Sequence, residues 1–329
     1  MQYVFTLPEH RQSAVVAVSA FDGVHVRHQR LLAETVTVAR QLGVTPIALL
    51  PWPPMMAEPG EATDQARDGL LTTLGERLAL LARIAPEAQS VVLAADAAQP
   101  WSPASLAERI TNGWDVRGLM LDPLADEALC GMQLADVGHL RGATVTVLSD
   151  EGSAPPVGAQ IRDALSTGRV AEAAQRLTYE YTLSAEVIGG DRRGRLLGFP
   201  TANLRVDANK LLPANGIYAV RVGLPGDPCA SRAAVASVGV RPTFGDHNAR
   251  LVEVHLLDLS MDLYGVRIET TFVEWLRSEE RFDSVEALIR QMSEDVAQAR
   301  LRLGNVHQAS ESGEGPLRPQ AMHQGDAHP

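Results

Sequence analysis

After residue 180 the chain stops alternating between strand and helix. The runs YTLSAEV, GIYAVRVGL, AAVASVGV, LVEVHLLDL and VRIETTFVEWL follow one another with Gly, Pro or Asp between them and no interposed helix. Parallel neighbours need a long crossover, normally a helix, so strands in this order must pair antiparallel. Five or six of them predict an antiparallel sheet or a small barrel. Its last element is a predicted helix over 284–303, with Val285, Leu288, Ile289, Met292 and Val296 on one face, Asp283 and Glu286 as a capping box, and Gly304 as its stop. Residues 306–329 are rich in Gly, Ser, Pro, Gln and His and read as a disordered tail.

The first half has a different grammar. AVVAVSAF (14–21) is a short apolar run, residues 28–42 carry apolar positions at helical spacing, Gly43 sits at a C-cap position, and VTPIALL (44–50) is a second apolar run. Strand, helix and strand in that space make a βαβ unit, hence a parallel sheet. Helices are predicted over 72–84 and 103–111, strands over 89–95, 116–121 and 143–148, and a helical stretch over 160–177 broken near Ser166-Thr167-Gly168. The expected architecture is therefore two domains, an α/β domain over 1–180 and a small antiparallel barrel with a closing helix over 181–305.

The net charge of −11, with no long basic run, points away from nucleic acid and anionic membranes as partners, although a local loop can bind phosphate in an acidic protein. Cys130 and Cys229 lack metal-ligand spacing and read as free thiols of a reducing compartment. MQYVFTLPEHRQ has no signal-peptide pattern and no apolar run approaches a membrane span, which predicts a cytoplasmic protein.

One stretch carries chemistry by its composition. In GGDRRGRLLGFPTANL (189–204), Gly189, Gly190, Gly194 and Gly198 permit close backbone approach to a phosphate, and Arg192, Arg193 and Arg195 add positive charge. Thr201 and Asn203, two apart on an extended chain, can both offer oxygen to a hard cation such as Mg²⁺. In LVEVHLLDL, Glu253 and His255 share one face while Val252, Val254 and Leu256 share the other.

GRLLGFPTANL closely resembles the signature of riboflavin kinases, as found in the C-terminal half of bacterial bifunctional riboflavin kinase/FMN adenylyltransferases. LLPANGIYAVRV (211–222), ASVGVRPTFGDHNARLVEVHLLDL (236–259) and DLYGVRIETTFVEWLRSEERFDSVEALIRQMSEDV (262–296) continue the resemblance in order, so that it covers essentially 183–300. It implies that Thr201 and Asn203 hold Mg²⁺ and the phosphates of ATP. It further implies that Glu253 is the general base toward the riboflavin 5′-hydroxyl, and that Arg277 and Phe282 lie near the flavin end.

FDGVHVRHQ (21–29) resembles the HxGH turn of the nucleotidylyltransferase superfamily, in the form found in FMN adenylyltransferase modules. That resemblance implies a Rossmann-like sheet with ATP at the first strand–helix turn. Phe21, Asp22, His25 and His28 are kept, but Arg27 stands where the family has glycine between the histidines, and Ala20 where it has glycine before the Phe. ALLPWPP (48–54) replaces the family's TFDPHP. Nothing matches GxDFxFG, the nearest region being LMLDPLADEAL (119–129), and PVGAQIR (156–162) keeps only Arg162 of the SSTxxR turn. The reading of the sequence is thus a riboflavin kinase that makes FMN, with a degenerate adenylyltransferase site at Asp22, His25, His28 and Arg162. The alternatives are the bifunctional enzyme that also makes FAD, and a non-catalytic flavin- or nucleotide-binding regulator.

Overall fold

The computed structural model describes residues 10–52, 69–94, 102–122, 125, 143–148, 155–190, 194, 197–240, 250–259 and 261–311. It divides into two compact units, one of 1–64 with 70–160 and one of 65–69 with 161–329.

The first unit is a five-stranded sheet in the order β3-β2-β1-β4-β5, with every neighbouring pair parallel. Its strands are β1 (Gln12–Val18), β2 (Thr45–Trp52), β3 (Gln89–Ala94), β4 (Trp114–Leu121) and β5 (Thr144–Val147). Helices α1 (Val26–Leu42), α2 (Leu74–Ile84) and α3 (Pro103–Gly113) intervene, as parallel pairing requires. The core is the run Ala14, Val16 and Val18 of β1 against Ile47, Leu49, Val91, Leu93, Leu106 and Ile110. Strand order reverses between β1 and β4, and the crevice beyond their carboxyl ends is where such sheets bind ligands. Helix α1 starts at Val26 with His25 as its N-cap, two residues earlier than the apolar spacing predicts, so His28 lies inside the first turn. Gly43 ends the helix in the left-handed conformation, as expected, with φ 66°.

The second unit opens with α4 (Val157–Ser166), which runs into it, and α5 (Val170–Leu177). The predicted break falls between them at Gly168, whose φ is +78°. A Cβ there would lie 1.6 Å from the ring of Trp275, so the turn between the two helices is seated on that indole. Residues 161–177 thus go with the barrel rather than with the sheet.

Six strands close the barrel in the order β10-β7-β6-β11-β8-β9. They are β6 (Thr182–Ile188), β7 (Ala202–Arg205), β8 (Gly216–Leu224), β9 (Asp227–Val240), β10 (Arg250–Leu256) and β11 (Arg267–Arg277), and every ladder is antiparallel. Leu183, Ala185, Tyr218, Val220, Ala236, Val238, Val252, Val254, Ile268 and Phe272 are buried and fill the interior, and the Phe272 ring meets Tyr218 edge-on with centroids 5.2 Å apart. Alternation sends the residues between them to the outer wall.

Helix α6 (Val285–Glu311) lies against that wall, with Ala299 and Leu303 packed among Ala219, Ala233, Val235, Val273 and Leu276. Two expectations about it are corrected. Ser284, not Asp283, is the cap, its hydroxyl accepting from the Ala287 N–H at 3.1 Å. The helix also runs through Gly304 to Glu311, because one glycine with open space around it weakens a helix without stopping it. Residues 312–329 lie outside the described residues, as do Arg192, Arg193, Arg195 and the PTFG turn at 242–245.

Candidate functional site

The register of the barrel gathers the predicted residues. Asn203 on β7 pairs with Glu253 on β10, Glu253 with Ser237 on β9, Ser237 with Ile217 on β8, and Ile217 with Arg277 on β11. Directly paired residues of an antiparallel ladder point to the same side, about 5 Å apart at Cβ. The row therefore crosses five strands of the outer wall, and all five side chains line one cavity of about 450 Å³. Thr201 and Gly194 contribute from the loop before β7, and Leu288, Met292 and Val296 from α6.

Arg277 reaches this row through an irregularity. Trp275 pairs with Tyr218 and Arg277 with Ile217, so two steps along β11 match one along β8. This is a β-bulge, which re-aims the residue beyond it. Without it, Trp275 and Arg277 would share a face. With it, Arg277 joins the cavity, where Asp295 of α6 accepts from its Nε at 2.8 Å and Nη2 at 2.7 Å. Gln291 adds a bond to the same carboxylate at 3.2 Å. The paired carboxylate raises the Arg277 pKa further and keeps it charged, and the guanidinium carbon stands 5.9 Å from the centre of the Phe282 ring.

The loop before β7 is wound tightly around Thr201 and Asn203. The Gly194 carbonyl accepts from the N–H groups of Leu197 at 3.1 Å and Phe199 at 2.8 Å, and Gly198 takes φ +88°. A Cβ on Gly194 would fall 2.3 Å from the Phe199 carbonyl oxygen, and one on Gly190 would fall 2.1 Å from the Asn203 amide nitrogen. A Cβ at Gly190 would crowd only the end of the Asn203 side chain, but one at Gly194 meets backbone, so Gly194 is sterically required. Gly189 is not: a Cβ there meets nothing within 4 Å. Neither Gly189 nor Gly198 is among the residues around the cavity. The sequence missed Ser237, Asp295 and the apolar face of α6 as wall residues. Only the ladder register and the helix's docking bring them there.

In the first unit the turn after β1 is a hydrogen-bonded knot. The Asp22 carboxylate accepts from the N–H groups of Leu71 and Thr72, both at 3.0 Å, and from Arg77 at 2.7 Å. Arg77 is fully buried and also donates to the Ala20 carbonyl at 2.6 Å. Asp22 thus organises the chain. His25 and His28 are buried and stacked, with centroids 3.8 Å apart, and His25 Nε2 donates to the Ala125 carbonyl at 3.2 Å.

Arg27, standing where the family has glycine, is held by a carboxylate. Its Nε and Nη2 each donate at 2.8 Å to the carboxylate of Asp122, just beyond β4, and both residues are buried. The pair spans the ends of β1 and β4, where the strand order reverses. Arg162 belongs to the second unit, where its Nε donates to the Gly69 carbonyl at 3.3 Å.

A parallel sheet of switch-point topology followed by a closed antiparallel barrel with a cavity on its outer wall defines a two-unit, α/β-plus-barrel class of protein. Comparison with known proteins places the chain within that class. Residues 177–303 match the family model for riboflavin kinase and residues 7–110 that for FAD synthetase. The bifunctional riboflavin kinase/FMN adenylyltransferase of Listeria monocytogenes is 32% identical, the match covering 87% of this chain and 91% of the relative. The protein of the same name from Escherichia coli K12 is 32% identical over 88% and 93% of the two chains. A crystal structure described as a macrolide-efflux protein from Streptococcus pneumoniae superposes with a TM-score of 0.74 and 23% identity, covering 91% of this chain and 98% of that one, and shows the shared fold. The chain belongs to the bifunctional riboflavin kinase/FMN adenylyltransferase family.

Proposed function

We propose that the second unit transfers the γ-phosphoryl group of ATP to the 5′-hydroxyl of riboflavin, giving FMN and ADP. The observation that carries this reading is the row Asn203–Glu253–Ser237–Ile217–Arg277 along one cavity wall. Glu253 takes the hydroxyl proton as the oxygen attacks phosphorus and the bond to the departing ADP oxygen breaks. Phosphoryl transfer asks little more of a protein than this, with positioning and charge neutralisation.

Thr201 and Asn203 offer a hydroxyl and an amide oxygen beside the Glu253 carboxylate, a donor set of hard oxygens suited to Mg²⁺. Mg²⁺ bound there would neutralise charge on the phosphates. Arg277, held by Asp295 beside Phe282, forms the opposite end, where a planar flavin ring can lie against apolar α6 residues. The proposed location is cytoplasmic. Among the described residues no helix is long and apolar enough to cross a membrane.

The full-length match to relatives named for both activities favours a second step, transfer of AMP to FMN by the first unit, over the kinase-alone reading of the sequence. Such a site would have to work around the Arg27–Asp122 pair at the switch point. Separation of FMN and FAD by chromatography after incubation with riboflavin, ATP and Mg²⁺ tests both steps. FAD following FMN supports two activities, FMN alone restores the kinase-alone reading, and neither product removes both.

A further inference from the structure

His255 stands two residues beyond Glu253 on the same outer face and lines the same cavity. Its Nδ1 lies 2.8 Å from the carbonyl oxygen of Pro200, and its ring meets Phe199 edge-on, with centroids 5.5 Å apart at 65°. A carbonyl can only accept, so Nδ1 carries the proton and donates, whatever the charge on the ring. The ladder places Val254 opposite Ala202, so the next step brings His255 alongside Thr201. Two contacts, one polar and one aromatic, thus tie the residues just before Thr201 to the strand that bears Glu253.

We propose that His255 is a positioning residue for the phosphate-side loop. It clamps Phe199 and Pro200 onto β10 and so fixes Thr201 relative to Glu253. Among the described residues the β7–β10 ladder begins at Ala202, just beyond this segment. The loop is turned on itself by the Gly194 carbonyl and the left-handed Gly198, and the His255 contacts tie it to the neighbouring strand. Pro200, which has no N–H, can be held through the main chain only by its carbonyl, and that is the group His255 binds.

The inference rests on the kinase reading, and the test separates the two. In the full-length chain, His255→Leu removes the donor, His255→Asn restores an N–H close to the position of Nδ1, and His255→Gln places one nearer Nε2. Hydrogen exchange of residues 197–203 is measured without any substrate, alongside FMN formation at varied ATP. In His255→Leu and His255→Gln the exchange of this segment is expected to quicken several-fold, with the kcat/KM for ATP falling roughly five- to twentyfold, the scale of one lost hydrogen bond. His255→Asn is expected to stay within about threefold of the parent in both readouts, because it keeps that bond.

Unchanged exchange in His255→Leu overturns the proposal, as does His255→Asn failing as badly as His255→Gln. Should His255→Leu prove too unstable to assay, the Asn and Gln pair decides alone. A parent protein that makes no FMN defeats the kinase reading, while the exchange of residues 197–203 still decides whether His255 is the clamp.

Discussion

In the proposed kinase reaction Glu253 is the residue on which the chemistry turns. Glu253→Gln keeps the shape and the ladder pairing but removes the base, and should lower the turnover of riboflavin by about 10²- to 10⁴-fold while MgADP binding, followed by calorimetry, stays near that of the parent. Unaltered turnover would take Glu253 out of the mechanism. Arg27 is the opposite kind of residue, one whose partner rather than substrate explains its state. Arg27→Gly would leave the Asp122 carboxylate buried without its counter-ion and is expected to destabilise the first unit by about 3–5 kcal/mol, whereas Arg27→Leu with Asp122→Leu together should be close to neutral. Urea unfolding of the three proteins checks this. Equal stability of Arg27→Gly and the parent would mean that the pair contributes nothing. Nothing in the sequence could reveal this pair, because the two residues lie 95 apart and no motif links them. Glu253, Thr201 and Asn203 were legible because local alternation and a contiguous motif place them.

At the scale of elements, periodicity in the sequence was a good guide wherever the backbone is regular. LVEVHLL reads correctly as a strand with Glu253 and His255 outward, and the helix break before α5 was visible in Thr167-Gly168. Irregular backbone was not legible. The bulge that turns Arg277 into the cavity has no composition signal, since it arises from closing the barrel against β8. The seat of Gly168 on Trp275 is equally a tertiary fact. Gly168→Ala combines a positive φ with a Cβ 1.6 Å from an indole carbon and should lower the melting temperature of the second unit markedly, while Gly304→Ala in α6, where a Cβ meets nothing, should leave it unchanged or slightly raised. A melt of Gly168→Ala that matches the parent would show that the helix pair is not anchored there.

For the whole molecule, the compact units do not divide at the point where the composition changes. Strand-like sequence begins near residue 180, but the helices before it are bound to the barrel: the Leu165 carbonyl accepts from the Ala214 N–H at 2.8 Å, and Gly168 rests on Trp275. A fragment of residues 155–311 should therefore fold and phosphorylate riboflavin, and one of 181–311 should be much less stable, as circular dichroism melts would register. Equal stability of the two would reduce α4 and α5 to a linker. The reason this boundary was hidden is physical: an amphipathic helix looks the same whether it packs on a parallel sheet or on a barrel.

The five-strand row has one more consequence, which concerns length rather than chemistry. Glu253 reaches the cavity because alternate residues of β10 face outward, and one residue gained or lost inside β10 would turn it inward and put an aliphatic side chain in its place. Descendants of this chain can change almost any letter of the barrel more safely than they can change the spacing. Insertions and deletions should accumulate in the hairpin tips and be purged from the strands, so that the count between Asn203, Ser237, Glu253 and the nearest turns becomes the most heritable property of the site.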